Sequence, residues 1–185
     1  SQGHYAFGPF ISRNRTELEA AYRSSWIVGQ VVDTISEDMT RSGIDIESKL
    51  TPDQIKKLYR GLLKFRVWHE LCNALKWSRL YGGALAVIVI DGQDFKTPLR
   101  METLRPGQFR GLLLLARWLV MPSLENLITE YGVNMGMPKY YTVIGDAAAL
   151  PGIKIHHSRC LRFDGIELPY YQKKAENLWG ESVIE

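Results

Sequence analysis

The most enzyme-like segment of this sequence is residues 156–159, which read His-His-Ser-Arg. In a strand, His156 and His157 would point to opposite faces, an arrangement that is unfavourable for joint metal binding. The tetrapeptide also begins with the H-x-S element of two-histidine phosphoesterases. Those enzymes need two such elements, because one histidine acts as the base and the other as the acid. Neither His4 nor His69 is followed by serine or threonine at the second position, so the sequence predicts no complete site of this type.

Asp33 and Glu37 are the carboxylates whose spacing best suits shared chemistry. They are four residues apart and lie on one helical face, as paired catalytic or metal-binding carboxylates would. Arg41 follows Glu37 at the next i+4 position, which favours an ordinary solvated acidic face that also includes Asp38. We therefore interpret Asp33, Glu37 and Arg41 as residues for polar contacts and predict no metal site there.

Other common catalytic patterns are missing from the sequence. Cys72 and Cys160 form neither a disulfide framework nor a zinc cluster. No phosphate-cradling glycine loop, dinucleotide-binding fingerprint or nucleophile elbow occurs. A Ser–His–Asp site stays open, because its three residues need not be close in sequence. We expect no cofactor and no metal, and we assign no catalytic residue.

Two groups of basic residues, each spread over one stretch of the sequence, could bind phosphate groups. A solvated face or an ion-paired subunit contact is the simpler interpretation, which we favour. The basic residues are Arg100, Arg105, Arg110 and Arg117, then Lys154, His156, His157, Arg159 and Arg162.

The sequence also has seven aromatic side chains that cannot all lie inside one small core, so some are expected at an interface. The aromatic residues are Trp77, Tyr81, Tyr140, Tyr141, Tyr170, Tyr171 and Trp179.

Composition places the chain among ordinary globular proteins. It has 185 residues, of which 45% are hydrophobic and 23% charged, with a formal net charge of +3. The length suits one domain with or without a small appendage, and the charge is too small to predict nucleic-acid binding. No apolar run approaches the ~20 residues that a membrane-spanning helix needs. We expect a soluble intracellular protein, and the absence of an initial methionine suggests a segment of a longer one.

The first half of the chain is predicted to be helical. Apolar residues recur at helical spacing from a capping box at Thr16 to Met39. Thr51-Pro52 is a typical start for a second helix. A third helix is expected at residues 67–81, where Gly82-Gly83 ends it.

The second half is predicted to be rich in strands. The continuous apolar run at residues 84–91 is typical of a strand that is buried on both faces. Shorter strands are expected at residues 112–120, 139–144, 153–155 and 161–163, and helix is expected again from Tyr170 to the end. Helices followed by strands predict an α+β fold, with a helix-rich first half packed on a small mixed or antiparallel sheet.

Four motifs in this order and spacing resemble the portal proteins of tailed bacteriophages. The resemblance extends over most of the chain, from about Tyr22 to Glu185, and is greatest to the phage and prophage portal-like family once catalogued as a domain of unknown function. The motifs are residues 21–28 (AYRSSWIV) followed by 32–33 and 37–41, residues 74–84 (ALKWSRLYGGA), residues 155–159 (IHHSR) and residues 177–183 (NLWGESV).

The resemblance implies a structural and non-enzymatic subunit of a head-to-tail connector. Such subunits form a homo-oligomeric ring of about twelve copies at the capsid vertex of the virion, after assembly in the bacterial host cytoplasm. Double-stranded DNA passes through the ring, which also contacts terminase, tail adaptors and capsid or scaffold proteins. The chain would comprise an N-terminal extended segment (residues 1–15), a wing-like α+β domain (16–171) and the start of a helix that leads to a missing stem (172–185).

The resemblance also implies structural roles for single residues. Tyr22, Trp26 and Val32 would anchor the first helix on the sheet, whereas the polar residues of that helix would be free to contact a neighbouring subunit. Arg159 would pair with a nearby acid such as Asp164 or with a carboxylate of a neighbouring subunit. The remaining assembly candidates are Asp33, Glu37, Arg41, Trp77, Gly82, Gly83, His156, Trp179 and Gly180.

Two alternatives to the connector remain open. Some members of the same family are annotated beside an anti-defence phosphodiesterase that degrades cyclic nucleotides, an activity that depends on two H-x-[ST] elements. The first alternative is therefore a phosphodiesterase or nuclease of an anti-defence type. The second is a stand-alone nucleic-acid-binding module, whose affinity for DNA would fall steeply with salt.

Overall fold

A computed structural model describes residues 15–144 and 150–185. The predicted extended segment at residues 1–14 and His4 lie outside these residues. Five helices and six strands occur in the described part, joined by single 3₁₀ turns at residues 101–103, 117–119 and 157–159. They are α1 (Arg15–Ser24), α2 (Trp26–Arg41), α3 (Pro52–Lys64), α4 (Val67–Tyr81), β1 (Gly83–Ile90), β2 (Phe109–Ala116), β3 (Val120–Pro122), β4 (Tyr140–Val143), β5 (Lys154–His156), β6 (Cys160–Asp164) and α5 (Tyr170–Ala175).

The strands form two antiparallel sheets of three strands each. In the first sheet β1 is central, with the order β2-β1-β6, and in the second the order is β3-β4-β5. Val87 of β1 pairs with Leu113 of β2 on one side and with Cys160 of β6 on the other. Four helices that precede two small antiparallel sheets confirm the predicted α+β class.

Strand β1 is the centre of the molecule. Its residues from Ala84 to Val87 have no exposed surface, as its uninterrupted apolar run predicts. Leu85 and Val87 belong to a core cluster that also contains residues of the second sheet and Trp179. Helix α4 packs against β1 and β2. Among the described residues, no helix combines the length and apolar character needed to cross a bilayer.

The predicted first helix is in fact two helices, which meet at Ser25. Ser25 has extended backbone angles (φ −115°, ψ 115°), so α2 starts in a new direction. Helix α2 packs against α4 and buries Val32 and Ser36. Trp26 is 78% exposed, so the prediction that it anchors the helix on the sheet is wrong. The periodic apolar residues Ile27, Val31, Ile35 and Met39 are also exposed.

The end of the chain is not helical beyond α5, contrary to prediction. Asn177 (φ 54°) and Leu178 (φ 65°) adopt left-handed backbone conformations that stop the helix. Trp179 is then buried, at 2% exposure, and Glu181 forms an isolated β-bridge with Ile166. The last residues therefore return to the core, where they cover the turn between α4 and β1.

The turn between α4 and β1 contains glycines because the C-terminal segment packs very close to its backbone. A Cβ atom on Gly83 would lie 2.3 Å from the Trp179 ring, and one on Gly82 would lie 2.3 Å from the carbonyl oxygen of Gly180. Gly82 also has φ +82°, a conformation that favours glycine. These glycines allow the C-terminal segment to pack directly on the turn.

Candidate functional site

The His-His-Ser-Arg tetrapeptide forms the connection between the two sheets. Strand β5 ends at His156, the next three residues make one 3₁₀ turn, and β6 begins at Cys160. The Nδ1 atom of His156 lies 2.9 Å from the Ser158 hydroxyl oxygen and accepts a hydrogen bond from the Ser158 amide (3.3 Å). The motif therefore caps its own turn, in the way that a polar side chain caps a helix start.

His156 is a buried and uncharged residue of this turn. It is 5% exposed, with its ring edge-on to Tyr140 at 5.2 Å and only 4.5 Å from the ring of His157. The two imidazoles therefore do not lie on opposite faces as a strand would place them, because the backbone turns between them. Burial, followed by repulsion from His157, Lys139 and Arg159, lowers the pKa of His156 to about 4.

His157 reaches an open cleft next to the turn. The cleft has a volume of about 220 Å³ and is lined by His157, Lys139, Glu130 and the loop at residues 127–135. The His157 amide donates to the Lys139 carbonyl (2.9 Å), which fixes the two residues side by side. Burial and then the Lys139 ammonium lower the pKa of His157, while Glu130 opposes the shift. An uncharged imidazole beside an ammonium can bind a phosphate and move a proton.

Arg159 is fully buried and holds the loop that follows β1. Its Nε donates to the Thr97 carbonyl (2.7 Å), and its Nη2 donates to Gln93 Oε1 (2.8 Å) and the Pro98 carbonyl (3.2 Å). Its Nη1 has no hydrogen-bond partner among the residues that the structure describes. Burial lowers the pKa of Arg159, in keeping with a charge held by carbonyl and amide oxygens.

The predicted ion pair between Arg159 and Asp164 is wrong. Asp164 is instead bound by Arg162, through Nε at 3.0 Å and Nη2 at 2.8 Å. Side chains two residues apart in a strand share a face, so Arg162 and Asp164 meet on β6. Arg159 belongs to the preceding turn and faces the loop.

The acidic residues of α2 take part in contacts between helices. The ammonium of Lys76 on α4 lies 2.6 Å from Glu37 and 3.3 Å from Asp33, and the Tyr22 hydroxyl donates to Asp33 (2.9 Å). Arg41 pairs with Asp38 (3.2 Å) rather than with Glu37. Within residues 15–144 and 150–185, no cluster of three His, Cys, Asp or Glu side chains could hold a metal ion.

Several of the remaining assembly candidates lie in or beside the core around Arg117, a residue that the sequence analysis named only as part of a loose basic series. Trp77 packs near Tyr81 with ring centroids 5.9 Å apart. The Arg117 guanidinium bonds the carbonyls of Tyr81 (3.1 Å) and Gly180 (3.0 Å) and the carboxylate of Glu176 (2.5 Å). A charged residue just after a buried apolar run is the signal that identifies such a residue, because its charge needs a partner in the core.

The chain is similar to three curated bacterial proteins that are longer than it is. It is 28% identical over its whole length to an uncharacterized protein of Haemophilus influenzae, and it spans 40% of that protein. It is 32% identical to two proteins named "Anti-CBASS protein Acb1", from a Caulobacter species and from Sphingomonas paeninsulae. Each of these matches covers 91% of the chain and 27% of the relative. The chain thus spans well under half of each relative.

These names contradict two of our predictions. The resemblance to connectors led us to expect a structural subunit through which DNA is packaged, and no enzymatic function. The two relatives at 32% identity instead carry the name of an anti-defence protein. The prediction was wrong because the portal-like motifs identify a fold family, and a fold family can carry unrelated functions.

The family itself is identified by a match that extends over nearly all of the described residues. A family model described as "Phage portal protein" matches residues 16–185. This range includes all four motifs on which the sequence resemblance rests, from the start of α1 to the final residue. The chain therefore belongs to the phage portal protein family.

Proposed function

We propose that this chain is part of an anti-defence phosphodiesterase of the anti-CBASS type. The observation that carries the proposal is the 32% identity, over 91% of the chain, to two proteins named "Anti-CBASS protein Acb1". Because the chain spans about a quarter of those proteins, the activity is proposed for the whole gene product. The substrate class we propose is the cyclic nucleotides.

The cleft beside the His-His-Ser-Arg turn supports this function. A phosphodiester is anionic, and the Lys139 ammonium at the cleft offers it a positive charge. His157 has a lowered pKa and is therefore uncharged at neutral pH, as a general base must be. His156, although it belongs to the H-x-S element, is buried and bonded to Ser158. In this arrangement His157 is the histidine that a substrate can reach.

A complete reaction needs a second group. The oxygen of a water molecule would attack phosphorus as the bond between phosphorus and the leaving oxygen breaks. His157 would take a proton from that water, and Lys139 would balance the charge on the phosphate oxygens. The leaving oxygen must then receive a proton from an acid. His69 lies on α4, where its Nε2 is within 3.1 Å of the Asn73 amide nitrogen, and it does not line the cleft. We therefore propose that the acid comes from the part of the gene product beyond the described residues.

Hydrolysis of a cyclic nucleotide by the gene product that contains this chain tests the proposal. We expect His157→Ala to lower kcat/KM by about 100-fold or more, the usual contribution of a general base. The matched control is His69→Ala, an exposed histidine on α4, which should leave the activity unchanged.

Two outcomes would contradict the proposal at different levels. A gene product that hydrolyses no cyclic nucleotide would overturn the function itself. Full activity in the His157→Ala variant would instead show that the catalytic groups lie outside this chain, and only the role of the cleft would be wrong.

Partners and location of the longer protein are proposals too. Membership in the portal family supports self-association and a place in the phage particle. The ring of about twelve copies and the contacts with terminase, tail adaptors, capsid or scaffold proteins and DNA are finer predictions that rest on the family resemblance. The proposed domain limits at residues 16 and 171 have the same basis. Mass measurement of the gene product at several concentrations tests self-association.

A further inference from the structure

The connection between β3 and β4 is a hairpin that exposes apolar side chains. Residues 123–140 fold back on themselves, and the Lys139 amide donates to the Asn126 carbonyl (2.8 Å). At the tip of this hairpin Tyr131 is 96% exposed and Val133 is 100% exposed. The exposed large apolar residues of the hairpin are Leu124, Leu127, Tyr131, Val133 and Met135. Such a group on one short segment is typical of a surface that binds another molecule.

The hairpin is also acidic. Residues 124–138 contain Glu125 and Glu130 and no lysine or arginine. Both acids are exposed, and neither forms an ion pair with another residue that the structure describes. The hairpin therefore combines an apolar tip with a negative charge that the folded chain does not compensate.

Helix α3 carries the opposite charge. Its basic residues are Lys56, Lys57, Arg60 and Lys64, against the single acid Asp53. All four basic residues are exposed, and within the described part of the chain none of them has an ion-pair partner. Like charges four residues apart on a helix repel one another, so an anionic surface against α3 would stabilise it.

Helix α3 is only partly covered by the rest of the protein. It packs against α4, but none of its residues is buried. Leu63 is 69% exposed. It follows Arg60 by three residues and Lys56 by seven, so the three side chains are neighbours on the helix surface. The free surface of α3 is therefore both apolar and basic.

The hairpin and α3 are complementary but separate within one chain. The hairpin continues the pairing of β3 with β4 in the second sheet, whereas α3 packs on α4. No hydrogen bond or ion pair joins the two among the described residues. Their charges are opposite and both expose apolar side chains, as two surfaces that bind each other do.

We propose that the chain binds a second copy of itself through a contact between the hairpin of one copy and α3 of the next. Glu125 and Glu130 would face the basic residues of α3, and the two exposed tip residues would pack beside Leu63. The contact joins unlike surfaces, so each copy offers both, and such a head-to-tail contact forms a ring when its rotation closes. This inference rests on the self-association proposed above and adds the surfaces that produce it.

Charge reversal in the gene product that contains this chain tests the contact. The hairpin variant is Glu125→Lys/Glu130→Lys, and the helix variant is Lys56→Glu/Arg60→Glu/Lys64→Glu. Either variant alone would place like charges in every contact, so we expect the dissociation constant for self-association to rise at least about tenfold. An equimolar mixture of the two should associate again, because the reversed hairpin of one meets the reversed helix of the other. Analytical ultracentrifugation measures both results.

Two further variants serve as controls. Glu102→Lys/Glu167→Lys reverses two exposed acids elsewhere in the chain and should leave association unchanged. Tyr131→Ser/Val133→Ser changes no charge and should weaken association by about tenfold or more, because exposed aromatic residues are frequent anchors of interfaces. It tests the same contact if a charge-reversed variant fails to fold.

Each remaining outcome would overturn the contact in a different way. Association that survives the reversed variants would show that the copies meet at another surface. A mixture that stays dissociated would show that α3 and the hairpin bind different partners, such as a nucleic acid for the basic helix. A gene product that is monomeric at every concentration would overturn both this contact and the proposed self-association. The phosphodiesterase proposal would be unaffected, because it is measured by hydrolysis.

Discussion

Two buried arginines occupy opposite kinds of environment in this protein. Arg117, with 4% of its side chain exposed, meets the carboxylate of Glu176 at 2.5 Å and two backbone carbonyls. Arg159 is equally buried but meets only carbonyl, hydroxyl and amide oxygens, and its Nη1 is unpaired among the described residues. The charge of Arg117 is therefore neutralised by a carboxylate, whereas the charge of Arg159 is stabilised only by neutral polar groups.

This difference in pairing indicates the role of the region around each arginine. A buried ion pair loses much stability when one partner is removed, because the other charge is left in a medium of low polarity. The Arg117 region joins the turn after α4, the turn after β2 and the C-terminal segment, and the Arg117 guanidinium is paired with a carboxylate and with backbone carbonyls. The Arg159 region lies beside the histidine turn and keeps an unsatisfied donor, as sites that bind other molecules often do.

The largest expected effect is that of Arg117→Met. It leaves Glu176 charged and buried and removes bonds to the carbonyls of Tyr81 and Gly180. We expect the free energy of unfolding to fall by about 3–5 kcal/mol, measured by urea denaturation. The control is Arg110→Met, which breaks an exposed pair with Asp91 at 2.7 Å and should leave the free energy of unfolding nearly unchanged, because exposed ion pairs contribute little to stability. Equal losses in both variants would remove the distinction between the sites.

A smaller loss is expected for Arg159→Met. The variant breaks the bonds to Thr97, Gln93 and Pro98, but it leaves no buried carboxylate behind and removes an unpaired donor. We expect a loss of about 1–3 kcal/mol, the cost of unsatisfied buried polar groups, by the same denaturation measurement. A loss as large as that of Arg117→Met would show that the Arg159 charge has a partner we have not recognised.

The third expected effect is a dependence of stability on pH. The pKa of His156 is about 4 in the folded protein against an ordinary value of 6.5, so protonation favours the unfolded chain. The stabilisation is complete above about pH 6.5 and is lost as the pH falls toward 4, and it amounts to at most about 3 kcal/mol. His157, whose pKa is also lowered, adds a slope of the same sign.

Thermal denaturation between pH 7 and pH 4 measures this effect. His156→Gln should reduce the loss of stability on acidification, whereas the control His69→Gln should preserve it. If the His156→Gln variant lost stability with pH as steeply as the parent chain, the histidine turn would not be the source of the dependence.

Local features of the fold were predictable because their interactions are local. The α3 capping box is the clearest case: Thr51 Oγ accepts from the Gln54 amide, and Gln54 Oε1 accepts from the Thr51 amide, as three-residue spacing predicts. The buried run of β1 and its start at Gly82-Gly83 also follow from composition. The match of the family to residues 16–185 confirms the resemblance that four motifs indicated.

The candidate sites were predictable only in part. Residues 156–159 were recognised as a candidate motif, but only the consequences of a strand were considered for them, since nothing in the tetrapeptide shows that it caps its own turn. Lys139 joins His157 through a backbone hydrogen bond between residues 18 positions apart, a distance that periodicity cannot detect.

The sequence by itself determined the starts of α3 and α4, the central strand, the α+β class and the family, because caps, apolar runs and motifs act over a few neighbouring residues. The tertiary structure alone decided which face of α2 is buried, why the chain ends in a non-helical segment, and which arginine has a carboxylate. Arg117 and Glu176 are 59 residues apart, and the stability of their pair depends on both charges leaving water together. Such contacts exist only after the chain has folded, so no local pattern records them.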